Sequence, residues 1–159
     1  MYTRILVPID GSPTSNLALA EAGELARLTG AQVRLLHILD PVAHASGFER
    51  PETYRQDILP QARQNAQALL DQARSQLTSA GVVTEVELIE NRDASVARLV
   101  VEHASQWGAS VIVLGTQGRR GIERMLMGSD AEQIARHASV PVLLVRQPGR
   151  PSAPASTGA

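Results

Sequence analysis

The sequence predicts an α/β fold: a single doubly wound, five-stranded parallel sheet of order 3-2-1-4-5 with helices on both faces. Three observations predict it. Short apolar runs and longer amphipathic stretches alternate along the chain, the pattern of a parallel sheet covered on both sides. The third run, Val82 to Ile89 (VVTEVELI), interleaves Glu85 and Glu87 with apolar residues, so one face is wet and the strand belongs at an edge. The fourth, Ser110 to Leu114 (SVIVL), opens into a long glycine-containing loop before the next helical pattern. With right-handed crossovers and a wet third strand at one edge, the winding reverses between strands 1 and 4.

Each element has a local cause. Arg4 to Ile9 (RILVPI) is a β-rich run ended by Asp10-Gly11, and Ser12-Pro13 supply an N-cap and a proline at the first helical position. The first helix runs to Thr29, with Leu17, Ala18, Leu25 and Leu28 as its expected core face and Gly30 as its stop. Gln32 to Leu39 (QVRLLHIL) is the second strand, closed by Asp40-Pro41. A polar loop over 43–52 precedes a long helix over 53–80, kinked or restarted at Pro60, with Ala62, Ala66, Leu69, Ala73, Leu77 and Ala80 as its buried stripe. Asp93 is the expected cap of a helix over Ala94 to Trp107, whose inner side carries Val96, Leu99, Val100, His103 and Trp107 and whose terminator is Gly108. A helix over Asp130 to Ala138 and a last strand, Val140 to Arg146 (VPVLLVR), complete a domain over 1–146. Residues 147–159 cannot bury enough apolar surface to order themselves and read as a flexible C-terminal tail. There is no internal repeat.

Composition removes several classes. A chain of 159 residues with 43% hydrophobic content forms one domain without a disulfide or metal staple. A net charge of −1 offers no basic field for nucleic acid or membrane, and the start, MYTRILVPID, has a strand pattern and no signal-peptide layout, so a cytoplasmic location is expected. There is no cysteine, which excludes thiol nucleophiles and thiolate metal sites. All 15 basic residues are arginine. Without lysine there is no Walker A loop, kinase strand lysine, Schiff base or Ser-Lys pair.

The chemistry concentrates in Gly115 to Ser129, GTQGRRGIERMLMGS. Gly115 and Gly118 are read as an anion nest that lets a ligand approach the main chain, and Gly128-Ser129 as the start of a helix whose free N–H groups and dipole favour a phosphate. Ser129 and Glu132 have capping-box spacing. Across the predicted crevice stand Pro8, Ile9 and Asp10. Asp10 admits two readings: a carboxylate that bonds a ribose hydroxyl, an adenine amine or a water on a phosphate-bound Mg²⁺, or the first residue of an Asx-turn. Ser12 and Ser15 are read as caps, and Arg119, Arg120 and Arg124 as solvated loop charges. Asp130 suits the helix dipole but repels a phosphate bound there. The four histidines lack paired metal spacing; His37 and His103 are read as satisfied core or near-core residues, and Trp107, Met125 and Met127 as packing. With 3% aromatics a flavodoxin is disfavoured, and a phospho-receiver would need an acidic pair, a further Asp and a lysine that are not there.

These residues resemble the universal stress protein family in its ATP-binding branch. The resemblance rests on ILVPIDGS, LLHILDP, VIVLGTQGRRGIERMLMGS with its G-x2-G-x9-G-[ST] signature, and HASVPVLLVR, and it covers Tyr2 to Arg146. It implies a Rossmann-like, adenine nucleotide alpha hydrolase-like domain that binds ATP, or ADP or AMP, with Mg²⁺. By that resemblance Pro8 and Asp10, with Ile9 between them, touch the adenosine end, the backbone near Ile38 flanks adenine, Gly115 and Gly118 approach ribose and phosphates, and Gly128 with Ser129 binds phosphates. Asp130 stands where a small or apolar residue is common in the family. The resemblance also implies a homodimer, paired through the last strand, Pro141 to Val145. Three readings follow: a nucleotide-responsive stress protein acting by occupancy, a slow ATPase or nucleotide-transfer protein with Asp10 or Asp130 positioning water, and a nucleotide-free interaction dimer.

Overall fold

Alternate residues of the first strand leave the sheet on opposite faces, and both sets are buried: Ile5 and Val7 on one side and Leu6 on the other are all at 0% exposure. A strand buried on both faces lies inside a covered sheet. The computed structural model describes residues 1–41, 48–117 and 127–148. Its five parallel strands, β1 (Arg4–Pro8), β2 (Gln32–Leu39), β3 (Thr84–Glu90), β4 (Val111–Gly115) and β5 (Val142–Val145), stand in the order β3-β2-β1-β4-β5, as predicted. The Glu-rich third strand is an edge, and β5 is the other.

Helices α1 (Pro13–Thr29) and α3 (Leu59–Ser79) cover one face, and α4 (Val96–Trp107) and α5 (Ser129–His137) the other. Ser12 caps α1 and accepts the Ser15 N–H, Pro13 sits in its first turn, and Gly30 ends it at φ 72°. Its inner face departs from the expected leucines. Ala18, Leu19, Ala22 and Ala26 are buried, whereas Leu28 is 84% exposed. Small residues let the helix lie close on the sheet, with Leu19 buried among them and Leu17 and Leu25 half-buried.

The second helical region begins with one turn, α2 (Pro51–Thr53), and passes through a π-turn, Tyr54–Ile58, before α3. Proline at position 60 has no N–H and crowds the carbonyl four residues back. The wider turn just before it relieves that crowding, and the Leu59 N–H bonds to the Tyr54 carbonyl, five residues back. The buried stripe of α3 is Ala62, Ala66, Leu70, Ala73 and Leu77, with Leu70 in place of the expected Leu69 and Ala80 exposed.

Two expected helix starts are corrected. Ser95, not Asp93, caps α4 and accepts the Arg98 N–H at 3.2 Å. Asn91 explains the shift: its amide takes the Ala94 N–H at 3.0 Å and donates to the Ala94 carbonyl at 2.7 Å, which holds Ala94 out of the helix. In α5 the cap is Gly128 and no Ser129–Glu132 box forms. The Glu132 N–H bonds to the Gly128 carbonyl at 3.0 Å, and its carboxylate pairs with Arg136 at 2.8 Å.

The amino ends of the central strands carry a charged cluster. Arg34 pairs with Glu85 at 2.6 Å, stacks 4.6 Å from the Trp107 ring centroid and donates to His103 Nε2 at 3.4 Å. Arg4 donates to the Trp107 carbonyl at 2.8 Å. Trp107 and His103 thus tie α4 to the sheet through arginine rather than through apolar contact alone. Burial first, then the Arg34 charge, push the His103 imidazole below its ordinary 6.5, with Glu87 opposing. The unfolded chain therefore binds more protons in that window, so this contribution to stability is full above about pH 6.5 and is lost as pH falls toward the folded value. Glu85 is held below its ordinary 4.5 by its bond to Arg34, and its contribution is lost only further down, as pH falls through the folded value. Urea midpoints measured between about pH 7.5 and 5.5 are expected to decline on acidification, less steeply in His103→Gln, while the loss in the carboxylate range persists in that variant.

Candidate functional site

β1 and β4 pair at Ile5↔Val111 and Leu6↔Ile112. The winding reverses between these two strands, and in such a sheet the ligand site falls outside their carboxyl ends. It lies between Pro8–Asp10 on one side and the chain leaving β4 on the other.

On the β1 side the backbone is closely held. The Ile9 N–H bonds to the Leu36 carbonyl at 2.8 Å, and the Ile9 carbonyl lies 2.7 Å from His37 Nδ1. A carbonyl only accepts, so Nδ1 carries the proton in this pair. The Ile9 side chain is 5% exposed and belongs to the core, which makes Ile9 part of the frame of the crevice. Asp10 Oδ1 accepts the Ser12 N–H at 2.9 Å, forming the Asx-turn, and the Asp10 N–H donates to Ser15 Oγ at 3.1 Å. Gly11, at φ 79°, makes the turn. The carboxylate thereby has a fixed place just beyond the carboxyl end of β1. Ile38, half-buried, packs on the α4 side, next to the buried His37.

On the β4 side Gly115 has a packing role. Gly115 is a strand residue paired with Val145, and among the described residues positive φ occurs only at Gly11, Gly30, Gly81 and Gly108. Gly115 therefore forms no nest. A Cβ there would lie 2.6 Å from both the backbone carbon and Oγ1 of Thr14, and 2.7 Å from the Thr14 carbonyl oxygen. Its smallness seats the first turn of α1. Gly118 falls outside the described residues, as do Arg119, Arg120, Arg124 and Met125.

The glycine loop is tied at its ends. The Thr116 N–H bonds to the Val145 carbonyl at 3.0 Å, and the Gly128 N–H bonds to the Thr116 carbonyl at 2.6 Å. The two described ends of the loop are thus joined just before α5. The first turn of that helix contains Ser129, Asp130 and Glu132, so its positive end is offset by two carboxylates. Among the described residues no group of three or more His, Asp or Glu side chains is arranged to hold a metal ion.

Sequence reasoning missed Thr14 and Gln117. The Thr14 hydroxyl donates to the Gln117 carbonyl and accepts the Gln117 N–H at 3.3 Å, and the Ser12 hydroxyl donates to that carbonyl at 3.2 Å. The only sequence signal was a hydroxyl-rich first turn, SPTS, which reads equally well as capping.

Fold and crevice define a doubly wound, Rossmann-like α/β protein with its candidate site at the switch point. Residues 1–146 match the model of the universal stress protein family, and the chain belongs to that family. A universal stress protein of Methanocaldococcus jannaschii is 31% identical over 148 residues, covering 93% of this chain and 84% of the relative. Two solved structures are similar over nearly all of both chains. A universal stress protein in complex with cAMP is 26% identical with a TM-score of 0.66, covering 91% of this chain and 97% of its own. The universal stress protein of Archaeoglobus fulgidus in complex with dAMP is 27% identical with a TM-score of 0.62, covering 91% and 98%. No helix among the described residues is long and apolar enough to cross a membrane.

The close approach at Gly115 has a measurable consequence. Gly115→Ala is expected to cost about 2–3 kcal/mol in urea unfolding, because backbone must move to admit the methyl group. Gly23→Ala, whose Cβ would meet only a Leu77 methyl at 2.9 Å, is expected to cost less, since that side chain can swing aside.

Proposed function

We propose that this chain is a cytoplasmic, adenine-nucleotide-binding universal stress protein that acts as a nucleotide-responsive homodimer, through occupancy and not rapid turnover. The observation that carries this reading is the switch point: Asp10 is fixed by an Asx-turn at the end of β1, and the chain leaving the adjoining β4 is anchored at Thr116 and Gln117. Support comes from two family members solved with adenosine monophosphates, cAMP and dAMP.

In this reading the ligand is ATP, or ADP or AMP, and binding is electrostatic and geometric. Pro8, Ile9 and Asp10 line the adenosine end, and the Ile38 backbone flanks the base. Gly115 and Gly118 border the ribose and phosphates, and Gly128, Ser129 and Asp130 stand at the phosphate end. Mg²⁺ would enter on the phosphates, which would carry it into the site. When bound, the ion neutralises phosphate charge next to the two carboxylates of the α5 first turn. Dimerisation uses the outer edge of the sheet, Pro141 to Val145, where Leu143 is 39% exposed.

Extraction of the purified protein followed by chromatography is expected to release ATP, ADP or AMP, and calorimetric titration of stripped protein to restore it. An empty extract together with a flat titration sinks the proposal. Asp130→Asn is expected to tighten ATP binding by roughly two- to fivefold at low salt, with a smaller effect on AMP, which carries less charge to repel. Light scattering at micromolar concentration is expected to give twice the chain mass, and a monomer defeats the dimer reading.

A further inference from the structure

The starts of α1 and α5 stand at the carboxyl ends of the strands, and that of α1 meets the chain leaving β4. In α1 two donors of the first turn are engaged by Ser12 and a third position has none. Pro13 has no N–H, the Ser15 N–H goes to Ser12 Oγ at 3.2 Å, and the Asn16 N–H goes to the Ser12 carbonyl at 3.0 Å. The hydroxyls of Ser12 and Thr14, at 4% and 2% exposure, both reach the Gln117 carbonyl. A peptide oxygen from the chain leaving β4 is thus held by two hydroxyls of this helix start.

We infer that Thr14 is a positioning residue of the site: its hydroxyl, bonded to both the N–H and the carbonyl of Gln117, sets the direction in which the chain leaves β4. Two features make this a built contact. Gly115 lacks the one carbon that would displace Thr14, and Ser12 provides a second hydroxyl for the same carbonyl. Thr116, one residue earlier, is bonded on both its backbone polar groups, to Val145 and to Gly128. Thr14 extends that anchoring by one peptide, to the last described residue before Gly118. The consequence for the site, which rests on the function proposed above, is that Gln117, the residue before the expected phosphate-binding Gly118, is presented in one direction.

The test compares Thr14→Val, which keeps the shape and removes the hydroxyl, with Thr14→Ser, which keeps the hydroxyl. Backbone amide exchange of nucleotide-free protein is read by NMR, and ATP affinity by calorimetry. In Thr14→Val the Gln117 amide is expected to exchange about tenfold faster and ATP to bind about tenfold more weakly, with Thr14→Ser close to the parent in both. Unchanged Gln117 exchange in Thr14→Val overturns the inference, as does a Thr14→Ser variant that behaves like Thr14→Val. Faster exchange with unaltered ATP affinity overturns the link to the site. If Thr14→Val does not fold, Thr14→Ser decides, because a parent-like Gln117 amide and ATP affinity are required of it. A parent protein that binds no ATP defeats the proposed function alone, and the exchange measurement still judges the contact.

Discussion

The first turn of α1 rests against the carboxyl end of β4 at backbone contact distance, and that contact exists because position 115 has no side chain. The atoms of Thr14 occupy the space a Cβ would fill, 2.6 Å from its ideal position. Nearly everything at the crevice depends on this approach. It brings the Ser12 and Thr14 hydroxyls within reach of Gln117, it lets α1 cover both β1 and β4, and it leaves the glycine loop to start from a fixed peptide. Interiors packed at crystal-like density transmit such a constraint instead of absorbing it.

The β1 side is held by a different device. His37, at 7% exposure, bonds the Ile9 carbonyl from the neighbouring strand, so a buried polar side chain is satisfied by the same peptide that leads into Asp10. The Asx-turn then uses one Asp10 oxygen to organise Gly11 and Ser12. Structural and functional readings of Asp10 are therefore not rivals. The turn is what gives the carboxylate a defined position, and a defined position is what recognition by a carboxylate requires.

Charge is divided between the two ends of the sheet. At the amino ends Arg34, Glu85, His103, Trp107 and Arg4 form a mutually satisfied cluster that fastens α4. At the far edge Arg63 of α3 makes a bidentate pair with Glu90 at the end of β3. That pair is partly exposed, so its value lies more in orienting α3 over the edge strand than in stability. The switch-point crevice, by contrast, is framed mainly by backbone groups and hydroxyls, with Asp10 and the two carboxylates of α5 at its margins.

The sequence by itself determined the sheet. Strand order, the edge position of the Glu-rich third strand, the Ser12-Pro13 start and the Gly30 and Gly108 stops all follow from period, turn chemistry and the handedness of crossovers, which are local or topological rules. The place of the candidate site followed from the same rules, because the reversal of winding is fixed once strand order is. Only the tertiary structure decided which residue at each place does what. Asn91 moved the α4 cap from Asp93 to Ser95 by engaging both polar groups of Ala94, and close seating of α1 turned Leu28 outward in favour of alanines. Gly115 proved to be a packing glycine, and Thr14 and Gln117, 103 residues apart, proved to be partners. Such outcomes depend on distances between segments remote in sequence, and no local pattern of residues encodes a distance of that kind.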